Sequence, residues 1–405
     1  METKVCIIGA GPAGLISAIF ASQNGAAVTI IEKNQSPGKK LLLTGGGRCN
    51  LTHKGTIDDF VKAYGKSGRF LRHCLHEFSP QNTLDFFAEI GINTKADEEG
   101  CVFPLTERSD DVLNVLVEQC NQLNVQFKYG REVDKIEKHG SDFVAFANAE
   151  VLHAKKVIIA AGGLSYPSTG STGDGFRLAK SLGHTIIEPK PALVPLVSNE
   201  KYCAELAGIS RDKVIISAVI NNKKVSEPGP MIFTHDGISG PAVLNLSRLL
   251  VDYLPAQNPL EILIDFVPDM NEARLEEYFI KQLSQYSRKI ITNVLFELVP
   301  KKLGNLICGM AEITEENASQ LKKEQRRKII QLLKKFPLPI TGTRPIEEAI
   351  ITSGGVSTAA IDPLTMQSKI CPGLYFAGEV IDVDGPCGGY NLQICWSTGA
   401  LAGKL

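Results

Sequence analysis

The chain opens with short apolar, β-branched runs on either side of a helix-spaced segment: Val5 to Ile8, about Pro12 to Asn24, then Ala27 to Glu32. This pattern predicts a βαβ unit and therefore a parallel sheet. Gly9, Gly11, Pro12, Gly14, Ser17, Gln23, Asn24 and Gly25 interrupt the run, so it does not read as a signal peptide or membrane anchor. Helical patterns follow at about 57 to 90 and 109 to 123, with strands near 125 to 137 and 142 to 147. A buried strand, Lys156 to Ala160, is expected to rejoin the first sheet. After Pro189-Lys190-Pro191 the pattern shifts to short strands over 192 to 266, with a hairpin turn at Asn221-Asn222. From about 270 to 336 it is helical and polar until Pro337 and Pro339 end it. The chain returns through Ile350 to Ser357, a strand Leu374 to Ala377, a glycine loop and a final helix from about Asn391. The expected organisation is a first domain over 1–189 completed by 353–405, a β-rich domain over 190–268 plus 337–352, and a helical insert over 269–336.

Candidate chemistry begins at Gly9-Ala10-Gly11-Pro12-Ala13-Gly14, between the first strand and helix, with Glu32 ending the next strand. In such a motif Gly9 permits the tight turn, Gly11 lets backbone approach a pyrophosphate, and Gly14 lets helix pack on strand. The helix N-terminus attracts the phosphate charge, and Glu32 accepts ribose hydroxyls, with Lys33 beside it. This alone does not separate FAD from NAD. Three further segments point to FAD: Ala161-Gly162-Gly163 after a strand, Gly378-Glu379 with Asp382 and Asp384, and Gly388-Gly389-Tyr390-Asn391 opening the last helix. The N–H groups of that helix suit the electron-rich N1 and O2 edge of a flavin. A cofactor contacted by both chain ends must be long, which fits extended FAD.

Gly45-Gly46-Gly47-Arg48-Cys49-Asn50-Leu51-Thr52, Gly162 to Pro167 with Gly170 to Gly175, Phe233-Thr234-His235 with Ser239-Gly240-Pro241, and Gly388 to Gln393 occur in order along the chain. In these motifs the chain resembles the BaiN/RdsA family of FAD-dependent oxidoreductases, also called the aminoacetone oxidase family, over nearly its whole length. The resemblance implies an α/β fold: a glutathione-reductase-like Rossmann FAD-binding domain with an inserted β-barrel-like domain and a small helical subdomain. It also places Arg48, Asn50 and Thr52 in a second FAD-contacting segment and gives the backbone of Val133 to adenine. Members synthesise dihydrouridine in ribosomal RNA, reduce double bonds of bile acids or oxidise small amines, so the substrate does not transfer.

Few residues stand out for catalysis. Flavin N5 carries the hydride, so the protein needs to orient the substrate and deliver a proton. Tyr166, His235, Asp236, Cys387 and Tyr390 lie in glycine-rich loops and are the candidates for proton donor or substrate holder. None of the ten cysteines forms a C-x-x-C or C-x-x-x-x-C pair, which removes a redox-active disulfide of that spacing and a zinc signature. No metal is expected, and the cytoplasm is the default location. No second GxGxxG serves a nicotinamide, so NAD(P)H would bind transiently. The formal net charge of -1 gives no global pull toward nucleic acid. Between Lys281 and Lys335, however, twelve Lys and Arg stand against five Glu, a basic face suited to phosphate backbones. Starting the count at Asp269 adds four acids and Arg274 and shrinks the excess. The leading expectation is NAD(P)H-driven reduction of uracil in ribosomal RNA. Reduction of a small ene-carbonyl and oxidation of a small amine such as aminoacetone remain open.

Overall fold

The computed structural model describes residues 4–148, 150–254, 258–285, 291–313 and 321–405. The chain divides into two compact units, Met1–Pro191 with Ile346–Leu405, and Ala192–Pro345. The first is built on a five-stranded parallel sheet. Its order is Leu374–Phe376, Lys156–Ile159, Lys4–Ile8, Ala27–Glu32, Gln126–Tyr129. Ile7 pairs with Ile158 on one side and Ile30 on the other, and all three are fully buried. A strand covered on both faces needs such continuous apolar runs.

The first helix, Pro12–Gln23, and the last, Tyr390–Gly403, pack together at glycines. A Cβ on Gly399 would lie 2.3 Å from Ile16 Cγ2, and one on Gly403 would lie 2.6 Å from the Ser17 carbonyl. The Ser17 hydroxyl donates to the carbonyls of Ala13 and Gly399. Both chain ends are thereby locked on one side of the sheet.

Two expected elements are subdivided. The helical stretch 57 to 90 is three helices, Ile57–Ala63, Gly68–Glu77 and Pro80–Glu89. Gly65 at φ +56° turns the chain after the first. The Ser79 side chain caps the third, accepting from the Asn82 amide. The strand 125 to 137 is two, Gln126–Tyr129 in the parallel sheet and Val133–His139 in an antiparallel meander with Asp142–Ala147 and Glu150–Ala154, divided at Gly130 (φ +64°).

The second unit holds a seven-stranded antiparallel sheet. Its long hairpin, Ser210–Ile220 with Lys223–Thr234, turns at Asn221 and Asn222, both left-handed (φ 48° and 60°), the backbone that two-residue hairpins require. The helices Glu272–Gln285, Lys301–Met310 and Lys323–Lys334 share one core with this sheet: Phe279, Leu303 and Leu333 cluster with Phe266 and Phe336. Residues 346–352 lie with the first unit, because the strand Ile351–Val356 pairs with Ile186–Ala192.

Candidate functional site

The three glycines of the opening turn do different work. Gly9 is at φ +102°, and a Cβ there would sit 2.6 Å from the Ala160 carbonyl oxygen of the neighbouring strand. A Cβ on Gly14 would lie 2.0 Å from the Gly9 carbonyl oxygen. Both are therefore demanded by the protein's own backbone. Gly11 is not, since no atom of the kind that crowds the other two lies within 4 Å of its Cβ position. The open space stands beside a helix N-terminus with no side-chain cap and Pro12 at its first position. Uncapped amides beside such space fit a pyrophosphate.

Glu32 ends its strand facing this turn. One oxygen accepts from the Ala10 amide at 2.8 Å, and the other from the amide and side chain of Asn34, each at 2.8 Å. The carboxylate is thereby buried and pinned beside the glycine turn. Lys33 is committed elsewhere: its ammonium pairs with Asp174 at 2.5 Å and also meets Thr172. An open groove beside them is lined by Lys33, Asn34, Gly130, Glu132, Pro167 and Thr172. Val133 is buried, and its carbonyl accepts from Arg177 at 3.1 Å.

The Gly45-Gly46-Gly47 run is left-handed throughout (φ 58°, 66° and 88°), and Cys49 follows at φ 60°. Only glycine enters this region without a steric cost, which explains the run. The Arg48 guanidinium lies 4.3 Å from the centre of the Phe103 ring, and its Nε donates to the Gly45 carbonyl. The Asn50 Oδ1 is buried without a hydrogen-bond partner, an acceptor whose desolvation a ligand donor would offset. Thr52, expected in the same cofactor-contacting segment, ties that segment to the last helix. Its hydroxyl donates to Gln393 Oε1 at 2.7 Å in a buried network with Thr83, Ser397 and the Phe78 carbonyl, which seats the last helix.

The C-terminal loop closes on the same region. A Cβ on Gly378 (φ +75°) would lie 2.8 Å from Ala13 Cβ, so this bend touches the first helix at its N-terminal turn. Glu379 accepts from Lys40 at 2.6 Å, Ser165 at 3.0 Å and the Thr352 amide at 2.8 Å. Asp384 is buried and accepts from Ser353 at 2.8 Å. Gly388 and Gly389 are left-handed (φ 110° and 95°), and a Cβ on Gly389 would lie 2.3 Å from the Thr52 carbonyl oxygen and 2.8 Å from Asn50 Oδ1. The Asn391 side chain brackets the loop, accepting from the Gly385 amide and donating to the carbonyls of Gly385 and Pro386. Its side chain shapes the loop, while the uncapped amides of the helix remain for a ligand.

Of the five candidates for proton donor or substrate holder, Tyr390, Cys387 and Tyr166 lie in this unit. The Tyr390 ring stacks on His53 at 4.9 Å and leans on Phe60, and its carbonyl accepts from Tyr64 Oη. Burial pushes its phenol up, with Cys101 and Asp59 adding to the shift. Tyr166 is left-handed (φ 53°), a strained conformation for an aromatic residue. Gly162 is left-handed next to Ala161, and a Cβ there would lie 3.0 Å from the Ser171 hydroxyl. Sequence patterns did not single out Lys40, His53, Cys101 or Thr352, which approach these loops from distant positions.

His235 belongs to the second unit, exposed on its loop. The adjacent Asp236 pairs with Arg344 at 2.8 Å. Four of the twelve basic residues of the helical stretch have carboxylate partners among the described residues: Arg326 pairs with Glu276, Lys328 with Glu312, Lys334 with Asp265 and Lys335 with Glu272. Arg288 and Lys289 lie outside the described residues. Among the described residues no group of His, Cys, Asp or Glu is arranged to hold a metal, and no helix is long and apolar enough to cross a membrane.

Comparison with known proteins gives this arrangement a context. The profile of the HI0933-like protein Rossmann domain matches residues 3–405. The chain is 34% identical over 404 residues to a protein of Clostridium scindens named 3-dehydro-bile acid delta(4,6)-reductase, covering 99% of this chain and 98% of that one. It is 31% identical over 398 residues to proteins named ribosomal RNA dihydrouridine synthase from Haemophilus influenzae and Escherichia coli, covering 97% of this chain and 95% of each. Among solved structures, 3-ketosteroid-delta4-(5alpha)-dehydrogenase from Rhodococcus jostii RHA1 is similar with a TM-score of 0.53 at 13% identity, covering 100% of this chain and 98% of that one. A flavocytochrome c3 fumarate reductase is similar with a TM-score of 0.51 at 15% identity, covering 99% of this chain and 77% of that one. These two likenesses show a shared fold.

Proposed function

We propose, from the premise that this chain belongs to the HI0933-like Rossmann family of FAD-dependent oxidoreductases, that it reduces a carbon–carbon double bond conjugated to a carbonyl. The single observation that carries the reading is full-length similarity to relatives whose names describe two versions of one reaction. Uracil and a 3-oxo-4,6-diene both offer a polarised C=C whose β-carbon accepts hydride. Bound FAD would supply that hydride and would be recharged by NAD(P)H binding transiently.

The residues fit that cofactor. The open Gly11 face and the uncapped amides of the first helix suit the diphosphate, Glu32 the adenosine ribose, and Asp384 the ribityl hydroxyls. The amides of the last helix suit the developing negative charge at the N1 and O2 edge, with the orphaned Asn50 carbonyl oxygen beside them. Tyr390 and Tyr166 hold phenolic protons and serve as the proton sources to test, followed by Cys387 and, in the second unit, His235.

Two substrates follow from the relatives, and the pairing of the basic helices separates their prospects. Arg326, Lys328, Lys334 and Lys335, four of the twelve, each carry a carboxylate partner, which removes part of the phosphate attraction expected from the count. A small cyclic enone therefore comes first and a uracil in ribosomal RNA second. The enzyme would work in the cytoplasm, where NAD(P)H is available.

The test is anaerobic stopped-flow of the purified yellow protein. NADH or NADPH should bleach the flavin, and a cyclic dienone or a uridine-bearing ribosomal RNA fragment should restore its colour faster than air does. Bleaching by aminoacetone with peroxide release in air, and no response to NAD(P)H, would replace reduction with amine oxidation. Ribosomal RNA that keeps its dihydrouridine in a knockout strain removes the RNA substrate.

A further inference from the structure

Lys40 and Glu379 form an ion pair at 2.6 Å, with side chains only 22% and 17% exposed. Such a pair gives up hydration at both partners and returns little net stability compared with apolar packing. Its position suggests another role. Lys40 follows the Gly38 bend, whose amide donates to the Ala10 carbonyl in the first glycine turn. Glu379 follows Gly378, which is packed against Ala13 at the start of the first helix. The Ser165 hydroxyl, buried on the loop after Gly162-Gly163, accepts from Lys40 at 2.6 Å and donates to Glu379 at 3.0 Å. A Cβ on Gly163 would come within 3.3 Å of the Glu379 carboxyl carbon. Two glycine bends expected at the cofactor thus converge on one ammonium, whose own segment is bonded to the first glycine turn.

The pair is not symmetric. Glu379 accepts from three donors, Lys40, Ser165 and the Thr352 amide, so its charge is well compensated. The ammonium gives two of its three N–H groups to Glu379 and Ser165 and passes 5.9 Å from the Tyr166 ring centre. The less compensated end is the cation. The neighbouring cations are otherwise engaged, Lys33 by Asp174 and Arg48 by the Phe103 face.

We propose that Lys40 is a cofactor-binding cation, held by Glu379 and Ser165 so that its remaining N–H meets the anionic diphosphate–ribityl stretch of FAD. The inference rests on the FAD reading and adds to it a residue no motif singles out. Glu379 then acts as a positioning residue through Lys40.

The experiment titrates FAD into full-length protein stripped of flavin, read by flavin fluorescence, with the melting temperature of the ligand-free protein measured alongside. Lys40→Met should weaken FAD roughly 10- to 100-fold, the loss of one charge-assisted hydrogen bond. Lys40→Arg keeps the charge and should lose less than about fivefold. The double-neutral variant Lys40→Met/Glu379→Gln leaves no unpaired charge, so it should melt near wild type and still bind FAD as weakly as Lys40→Met. The charge swap Lys40→Glu/Glu379→Lys should likewise recover melting temperature but not affinity. Wild-type affinity in the double-neutral or swapped protein would show that the pair is only a staple between loops and would overturn the proposal. If wild-type protein takes up no FAD at all, the cofactor reading fails first.

Discussion

In the unit that carries the glycine motifs, several glycines stand directly against backbone or Cβ atoms. Gly14 meets Gly9, Gly389 meets Thr52 and Gly378 meets Ala13, each at a distance that leaves no room for a side chain. In the second unit the core is apolar side chains with rings among them: Phe266 stands 5.4 Å from Phe336 and 6.3 Å from Phe233, and Tyr202 meets Phe336 edge-on at 5.7 Å. Gly237, whose Cβ would lie 2.1 Å from the Leu196 carbonyl oxygen, is an exception there. The difference has consequences for function. A site limited by backbone geometry accepts one residue type, whereas a side-chain core tolerates exchange at near-constant volume. The FAD-binding unit is thus held most strictly at its glycines.

The strongest way to break this comparison is Gly14→Val. The side chain would overlap the Gly9 carbonyl within the first turn, so the unit should lose about 3 kcal/mol or more of stability. Soluble protein with an unchanged denaturation midpoint would show that the turn yields easily and that backbone contact does not restrict this half.

Gly11→Val sharpens the contrast three residues away. Its Cβ meets no protein atom, so the ligand-free variant should fold with wild-type stability. It should nonetheless purify colourless, because the side chain fills the diphosphate approach. FAD at a hundred times its dissociation constant stabilises a binding protein by about 2.7 kcal/mol. Wild type should show that thermal shift, and Gly11→Val should not.

These two glycines also mark what could be read from the chain beforehand. Turn glycines, the parallel strands and the Asn221-Asn222 hairpin are local: each follows from backbone limits within a few residues. The return of the strand Lys156–Ile159 to the first sheet was legible because a buried apolar run ending in glycines has few other places to go. The role of the Thr52 side chain was not legible, since its partner Gln393 is 341 positions away. The same holds for Lys40 with Glu379, and for the helices after residue 270, whose polar spacing suggested an insert although they complete the core around Phe336. Pairing across hundreds of residues leaves no period in the sequence.

Glu32→Ala tests the one conspicuous side chain of the cofactor half. Loss of charge-assisted hydrogen bonds should weaken FAD by about 1 to 3 kcal/mol, seen as faster flavin loss on dilution. Because Glu32 also holds the Ala10 amide, part of the loss would pass through the glycine turn. Glu32→Gln can still accept from Ala10 and should lie between alanine and wild type. Equal retention in all three proteins would remove Glu32 from the cofactor.

The smallest change in stability, and the sharpest probe of the second unit, is the double reversal Lys323→Glu/Arg327→Glu. Both residues are exposed on the helix Lys323–Lys334, so the fold should change by less than about 0.5 kcal/mol. What they do to catalysis depends on the substrate. With ribosomal RNA, reversing two charges should raise KM and flatten its dependence on salt, because fewer counterions are released on binding. With a small cyclic enone the same variant should keep wild-type kinetics at every ionic strength. The carboxylates beside Arg326, Lys328, Lys334 and Lys335 already offset part of the helical charge, so the enone outcome is expected. A salt-dependent loss of activity on RNA fragments would instead mean that these two exposed cations suffice to hold a phosphate backbone, and the order of the two substrates would reverse.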